Sequence, residues 1–194
     1  MAHNLLKTYS GMKRTGLRGK KGFTLVEAMV VVAIIGVLAA IGYSIVQKML
    51  WRSRASEVPA MFNGIIAKEE AFYAEFHRYV SNPWVPAAIS GQGSQPWPNT
   101  GNALIVGFEQ IGFTPDTGSV WNQYRVTACN DVSQAPCSGV PCGTDFPAGY
   151  KGPGFVLEAR GDLNNDGNIG HYCATSQATT PVIVNSDWQG QDSL

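Results

Sequence analysis

The chain has 194 residues with 14 basic and 14 acidic side chains, so its formal net charge is zero. That length holds one ordinary domain and an attached segment, and 44% apolar against 14% charged residues excludes wholesale disorder. The zero hides a segregation. Lys7, Lys13, Arg14, Arg18, Lys20 and Lys21 precede Phe23 without an acid among them, leaving 8 basic residues against all 14 acids beyond it, a balance of −6. An acidic body without a basic run argues against nucleic acid as a direct ligand of this chain.

Residues 1–22 read as a basic leader. Phe23-Thr24-Leu25-Val26-Glu27 follows, and Ala28 to Gln47 carry no charge at all. Those 20 residues span about 30 Å as a helix, close to the hydrocarbon thickness of a bilayer. Basic residues ahead of the span place the N-terminus in the cytoplasm and everything after Lys48 on the far side; Lys48, Arg52 and Arg54 weaken that asymmetry without reversing it. A buried core helix of this length shows a polar stripe, and this segment has none. Glu27 is the exception, because an ionised carboxylate at membrane depth costs about 2.5–3.5 kcal/mol. The choice lies between a carboxylate reaching back to the interface and one that meets a partner charge. A secretory signal has its small-residue cleavage site after the apolar block. Here the small residue, Gly22, stands before it, so cleavage there removes the charged leader and keeps the helix.

Lys20-Lys21-Gly22-Phe23-Thr24-Leu25-Val26-Glu27 followed by an unbroken apolar helix resembles the N-terminal signature of type IV pilins and the related pseudopilins of type II secretion systems. The match runs from Lys20 to Leu50. The resemblance implies cleavage between Gly22 and Phe23 by a prepilin peptidase, N-methylation of the new Phe23 amine, and polymerisation into a helical filament with these helices at its centre. It also supplies a partner for Glu27, the Phe23 amine of a neighbouring subunit, since such a pair attracts where little water is present. One departure is the Gly42-Tyr43-Ser44 stretch, where many members of the family carry a proline. Gly36 and Gly42 each weaken a helix by about 1 kcal/mol relative to Ala, which makes Gly42 a point of expected local loosening. Met12 offers a second start with the same mature product.

Helical periodicity continues through residues 51–80. Val58, Met61, Phe62, Ile65, Ile66, Phe72, Tyr73, Phe76 and Val80 follow the spacing of one buried face, with Lys68, Glu70, Glu75 and Arg78 on the other. Glu69 falls at the edge of the apolar stripe. Pro59 removes the donor to the Ala55 carbonyl, predicting a bend at 55–59. The expectation is one long helix over about 24–79, closed by Asn82-Pro83. Aromatics at helical spacing read as core rather than as an electron path, and His77 reads as a surface or interface residue.

Residues 81–194 form the head. The stretch 81–154 holds nine of the 11 prolines and half of the 22 glycines, so it reads as loops punctuated by short strands. Leu104–Phe108 is a short apolar segment, Tyr124–Cys129 alternates as a half-buried strand does, Phe155–Arg160 and Ile169–Ala174 read as a pair, and Val182–Asn185 as a further strand. The predicted fold is α+β: a long N-terminal helix, apolar in its first half, packed on a small antiparallel sheet with long loops. This agrees with the architecture of pilin heads.

Cys129, Cys137, Cys142 and Cys173 all lie beyond the membrane, where oxidation is expected. Of the three possible pairings, Cys137–Cys142 as a local clip and Cys129–Cys173 as a strand-to-strand tie are favoured. No C-x-x-C occurs, which argues against structural zinc and c-type haem. Asp162-Leu163-Asn164-Asn165-Asp166-Gly167-Asn168 satisfies the first half of a calcium loop, with Asp162, Asn164 and Asp166 as candidate calcium ligands. Its twelfth position is Cys173, where a bidentate Glu is needed, so the loop is not an EF-hand. The competing reading is a tight hairpin turn.

No catalytic constellation assembles. After the leader only His77 and His171 remain, without a nucleophile motif, and Gly91-Gln92-Gly93-Ser94 is a flexible turn rather than a phosphate loop. The chain therefore reads as a structural, non-enzymatic subunit of a type IV pilus, major or minor. By the resemblance it is an inner-membrane precursor with a periplasmic head, and later part of an extracellular homopolymer built with a prepilin peptidase and an assembly machinery. The alternative is a pseudopilin of a type II secretion system; a third class is an anchored binding protein that remains monomeric.

Overall fold

The computed structural model describes residues 22–89, 93–130, 137, 152–179 and 182–185. The chain divides into two compact units, residues 1–43 and 44–194. Helix α1 (Leu25–Ala55) contains no buried residue, and it runs unbroken through Gly36 and Gly42, so the loosening expected at Gly42 does not interrupt it. Thr24 precedes it in a non-helical conformation and caps it: the Glu27 amide donates to Thr24 Oγ1 at 3.2 Å, and the Ala28 amide to the Thr24 carbonyl.

Helix α2 (Glu57–Phe76) follows after a single turn residue, Ser56. The break comes where Pro59 predicts it. Pro59 cannot donate to the Ala55 carbonyl, and as the third residue of α2 its missing N–H falls among the donors a first turn leaves unpaired anyway. The helix ends at Phe76, earlier than the sequence suggests. His77 adopts a left-handed conformation (φ 56°) and its amide closes the last turn on the Tyr73 carbonyl at 2.8 Å. Termination is thus local, set by a left-handed residue; Asn82-Pro83, expected to stop the helix, instead begins a strand. His77 is exposed, as expected.

Five antiparallel strands form the main sheet in the order β1 (Asn82–Val85), β4 (Gln123–Cys129), β5 (Gly154–Gly161), β6 (Gly170–Thr175) and β7 (Val182–Asn185). A small second sheet pairs β2 (Gln95–Pro96) with β3 (Ser119–Val120). The apolar Leu104–Phe108 segment is not a strand. It winds into a 3-10 turn (Ala103–Ile105) and helix α3 (Val106–Gln110). The cause is Asn82, 2% exposed, whose Oδ1 accepts the Gly107 and Phe108 amides while its Nδ2 donates to the Leu104 carbonyl. Gly107 is required there, because a Cβ would run into the Ser81 carbonyl oxygen.

Period two sorts the central strands into faces. Tyr124 and Val126, Phe155, Leu157 and Ala159, and Tyr172 and Ala174 point into one core with Val58, Phe62 and Ile65 of α2. Phe62 meets Tyr124 edge-on with ring centroids 6.3 Å apart. β5 is buried on both faces over most of its length, as a central strand covered twice should be. Trp97, Phe108 and Phe113 extend the core toward α3. Gly64 lets Phe113 approach α2, since a Cβ would lie 2.9 Å from its ring.

Candidate functional site

Gly22 and Phe23 precede the capped helix outside any helix or strand and are exposed, Phe23 to 67%, and a Cβ built on Gly22 would meet nothing within 4 Å. A peptide bond there is accessible to another protein. Thr24 and Glu27 stand at the two ends of a Thr-x-x-Glu pattern, and the cap bond above fixes the backbone of Glu27 in the first turn. Its carboxylate is exposed and adds negative charge where the helix dipole favours it. Beyond it, Val30, Ile34, Val37, Leu38 and Ile41 are exposed at 53%, 55%, 62%, 63% and 59%. By length and composition the helical stretch Leu25–Phe76 can cross a membrane, and its apolar part is not covered by any of the described residues. This is the feature of the molecule that most demands a partner.

Three carboxylates of α2 and the sheet do work that the sequence did not reveal. Glu57 accepts the Trp121 amide on both oxygens (3.1 and 2.9 Å), the Asn122 amide at 3.3 Å and the Tyr124 hydroxyl at 2.6 Å. Burial and the Glu57 charge push the Tyr124 phenol well above its ordinary value, so it stays a donor. Arg54 adds to this seam, donating to the Leu163 carbonyl at 2.9 Å and lying over the Trp121 ring at 4.2 Å. Glu69, unexplained by the helical pattern, is 1% exposed and accepts the Val80 amide at 3.0 Å, joining α2 to the chain that enters β1. Desolvation by burial, aided by the neighbouring Glu70 charge and opposed by the Val80 bond, raises its pKa to about 7. Glu158, wholly buried in mid-sheet, pairs with Arg125. Local signals were faint: an acid in a first turn before Pro59, an acid on an apolar edge, an acid in an alternating strand.

The cysteine pairing is corrected. The structure joins Cys129 to Cys137, with Cα atoms 5.4 Å apart, so neither Cys129–Cys173 nor Cys137–Cys142 forms. The sheet register gives the reason. Cys129 lies opposite Gly154, whereas Cys173 lies opposite Glu158, which is opposite Arg125. Cys173 therefore stands two strands across and four residues along from Cys129, roughly 16 Å away, far outside disulfide reach. Cys173 is itself disulfide-bonded, and Cys142 lies outside the described residues.

Asp162, Asn164 and Asp166 come together in the loop between β5 and β6. Asp162 Oδ1 accepts the Asp166 amide at 3.1 Å and Oδ2 the Gly167 amide at 3.1 Å, while Asn164 Oδ1 accepts the Asp166 amide at 3.0 Å. Asn165 and Gly167 take positive φ (57° and 86°). Each oxygen thus satisfies turn backbone, and what the arrangement does in the chain is close a hairpin. Among the described residues no group of three or more His, Cys, Asp or Glu side chains converges on a metal position.

The comparisons with known proteins concentrate on the same N-terminal segment. The family profile described as a prokaryotic N-terminal methylation motif matches residues 17–43. The chain is 32% identical over 130 residues to the type IV major pilin protein PilA of Myxococcus xanthus, covering 63% of this chain and 47% of that protein. It is 43% identical over 49 residues to a fimbrial protein of Moraxella nonliquefaciens, covering 25% of this chain and 32% of the relative. It is also 41% identical over 56 residues to the fimbrial protein EcpC of Eikenella corrodens, covering 29% and 37%. The chain thus spans less than half the length of these curated relatives. No solved structure matches.

Proposed function

We propose that the chain is a type IV pilin, a filament subunit that polymerises through α1 after prepilin peptidase cuts between Gly22 and Phe23. The carrying observation is the methylation motif at residues 17–43 together with a helix that has no buried residue among those described. Before assembly, a bilayer covers that helix, with the N-terminus cytoplasmic and the head periplasmic. After extraction, neighbouring α1 helices replace the lipid and the heads form the surface of an extracellular fibre. The released Phe23 amine, N-methylated, meets Glu27 of an adjacent subunit. A subunit displaced by one turn leaves two unpaired charges in an apolar core, so the pair sets register more than it adds affinity.

The test is mass spectrometry of the N-terminal peptide in material sheared from cells. N-methylated Phe23 in that fraction is the expected result. Processed chain found only in membranes favours a secretion pseudopilin, and uncleaved chain alone overturns the filament reading. Glu27→Ala is expected to cut sheared filament by tenfold or more while the membrane-bound chain is still processed to Phe23. Wild-type filament yield from that variant removes the register role.

A further inference from the structure

The face of the main sheet turned away from α2 is polar and unusually cationic at its centre. Arg125 of β4, Glu158 and Arg160 of β5 and His171 of β6 stand on it side by side, with Trp84 of the edge strand β1 alongside. The single carboxylate is already used. Glu158 Oε2 accepts Arg125 Nε at 2.7 Å and pairs with Arg125 Nη2, and its Oε1 faces His171 Nε2 at 3.3 Å. Among the described residues the contacts of Arg160 are neutral: its Nε donates to Gln123 Oε1 at 2.8 Å, and its guanidinium lies 4.1 Å from the Trp84 ring centroid. Arg125 covers the same ring at 4.7 Å. Neither Nη of Arg160 meets an acceptor among the described residues. Partial burial and the Arg125 charge lower the Arg160 pKa, with Glu158 opposing, as expected where cations outnumber the anion.

An excess cation is expensive to hold half-buried unless something neutralises it. A guanidinium whose terminal nitrogens meet no acceptor among the described residues, lying over an indole and oriented by a glutamine, presents a fork suited to two oxygens of one anion. We propose that this face of the sheet binds an oxyanion, a carboxylate or a phosphate, seated on the Arg160 fork beside Trp84 and flanked by Arg125 and His171. The oxyanion is either free in solution or carried on an acidic polymer. The inference does not depend on filament assembly.

The experiment uses the full chain in an uncharged detergent. Thermal unfolding and tryptophan fluorescence are followed against potassium phosphate, with potassium chloride at matched ionic strength as reference. The wild type is expected to show a saturable, phosphate-specific rise in Tm. Arg160→Gln is expected to lose it, and Arg160→Lys, which keeps the charge without the fork, to need about tenfold more phosphate. If Arg160→Gln does not fold in chloride, Arg160→Lys alone decides. A wild type that responds neither to phosphate nor to either galacturonate probe, or a variant responding as the wild type does, overturns the proposal. Galacturonic acid and polygalacturonate at equal carboxylate concentration separate the sources. Equal responses assign the site to free anions, and a response to the polymer alone, lost in Arg160→Gln, assigns it to an acidic polymer.

Discussion

At 1% exposure, with a pKa of about 7, the Glu69 carboxyl makes stability depend on pH in the direction opposite to a surface ion pair. The unfolded chain releases this proton near pH 4.5 and the folded chain near 7. Between those values the folded state holds more protons, so stability falls as pH rises, by about 3 kcal/mol across the window. Glu69→Gln keeps an oxygen to accept the Val80 amide and removes the charge. Urea midpoints measured from pH 5 to 8 are expected to slope downward for the wild type and less for the variant, with the variant the more stable at pH 8. Glu57 behaves differently, because its oxygens accept several donors at once. Glu57→Ala leaves the Tyr124 hydroxyl and the Trp121 amide without an acceptor, an expected loss of about 3 kcal/mol in the same assay. Neither role was legible beforehand. Sequence periodicity reports which face a residue occupies, while these carboxylates are defined by backbone amides 11 to 65 positions away.

Elements were legible where they are periodic or punctuated. The break before α2 follows from Pro59, β7 falls at Val182–Asn185 as expected, and β4, β5 and β6 lie within one or two residues of their apolar alternation. What failed was set by long-range contact. Leu104–Phe108 has strand composition, but Asn82 caps it as a helix from across the fold. β1 contains Pro83, which reads as a terminator; the structure tolerates it because, among the described residues, β1 is an edge strand paired with β4 alone. The cysteine pairing failed for a related reason, since strand adjacency does not follow from alternation. Cys129–Cys137 closes a short loop at the end of β4, for which chain entropy predicts about 2–3 kcal/mol. Replacing both by Ser is expected to lower stability by that amount and to leave the β4–β5 amides protected in hydrogen exchange. At the helix end, His77→Gly relieves a left-handed side chain and is expected to stabilise by about 0.5–1 kcal/mol in urea unfolding.

On the scale of the whole molecule, two parts obey opposite rules. Among the described residues, the core cluster is drawn from side chains between Val58 and Ala174, and α1 contributes no buried residue. Water opposes α1 standing alone: at about 25 cal/mol per Å2, a helix exposing this many large aliphatic side chains gains tens of kcal/mol from any apolar cover. A bilayer supplies one and so, on the proposed reading, does a bundle of identical helices; exchanging one for the other leaves the core cluster of the head untouched. The apolar segment was therefore the most legible part of the chain, because it is specified by composition and one short motif rather than by tertiary contacts. The same reasoning gives a test of independence. A chain lacking residues 1–50 keeps Arg54, with its bond to the Leu163 carbonyl, and every side chain of the core cluster. It is expected to be soluble without detergent, to unfold in a single cooperative transition, and to match the Tm of the full chain in micelles within a few degrees. A markedly lower Tm, or loss of the transition, means that the head draws stability from the removed segment and that α1 is more than an anchor.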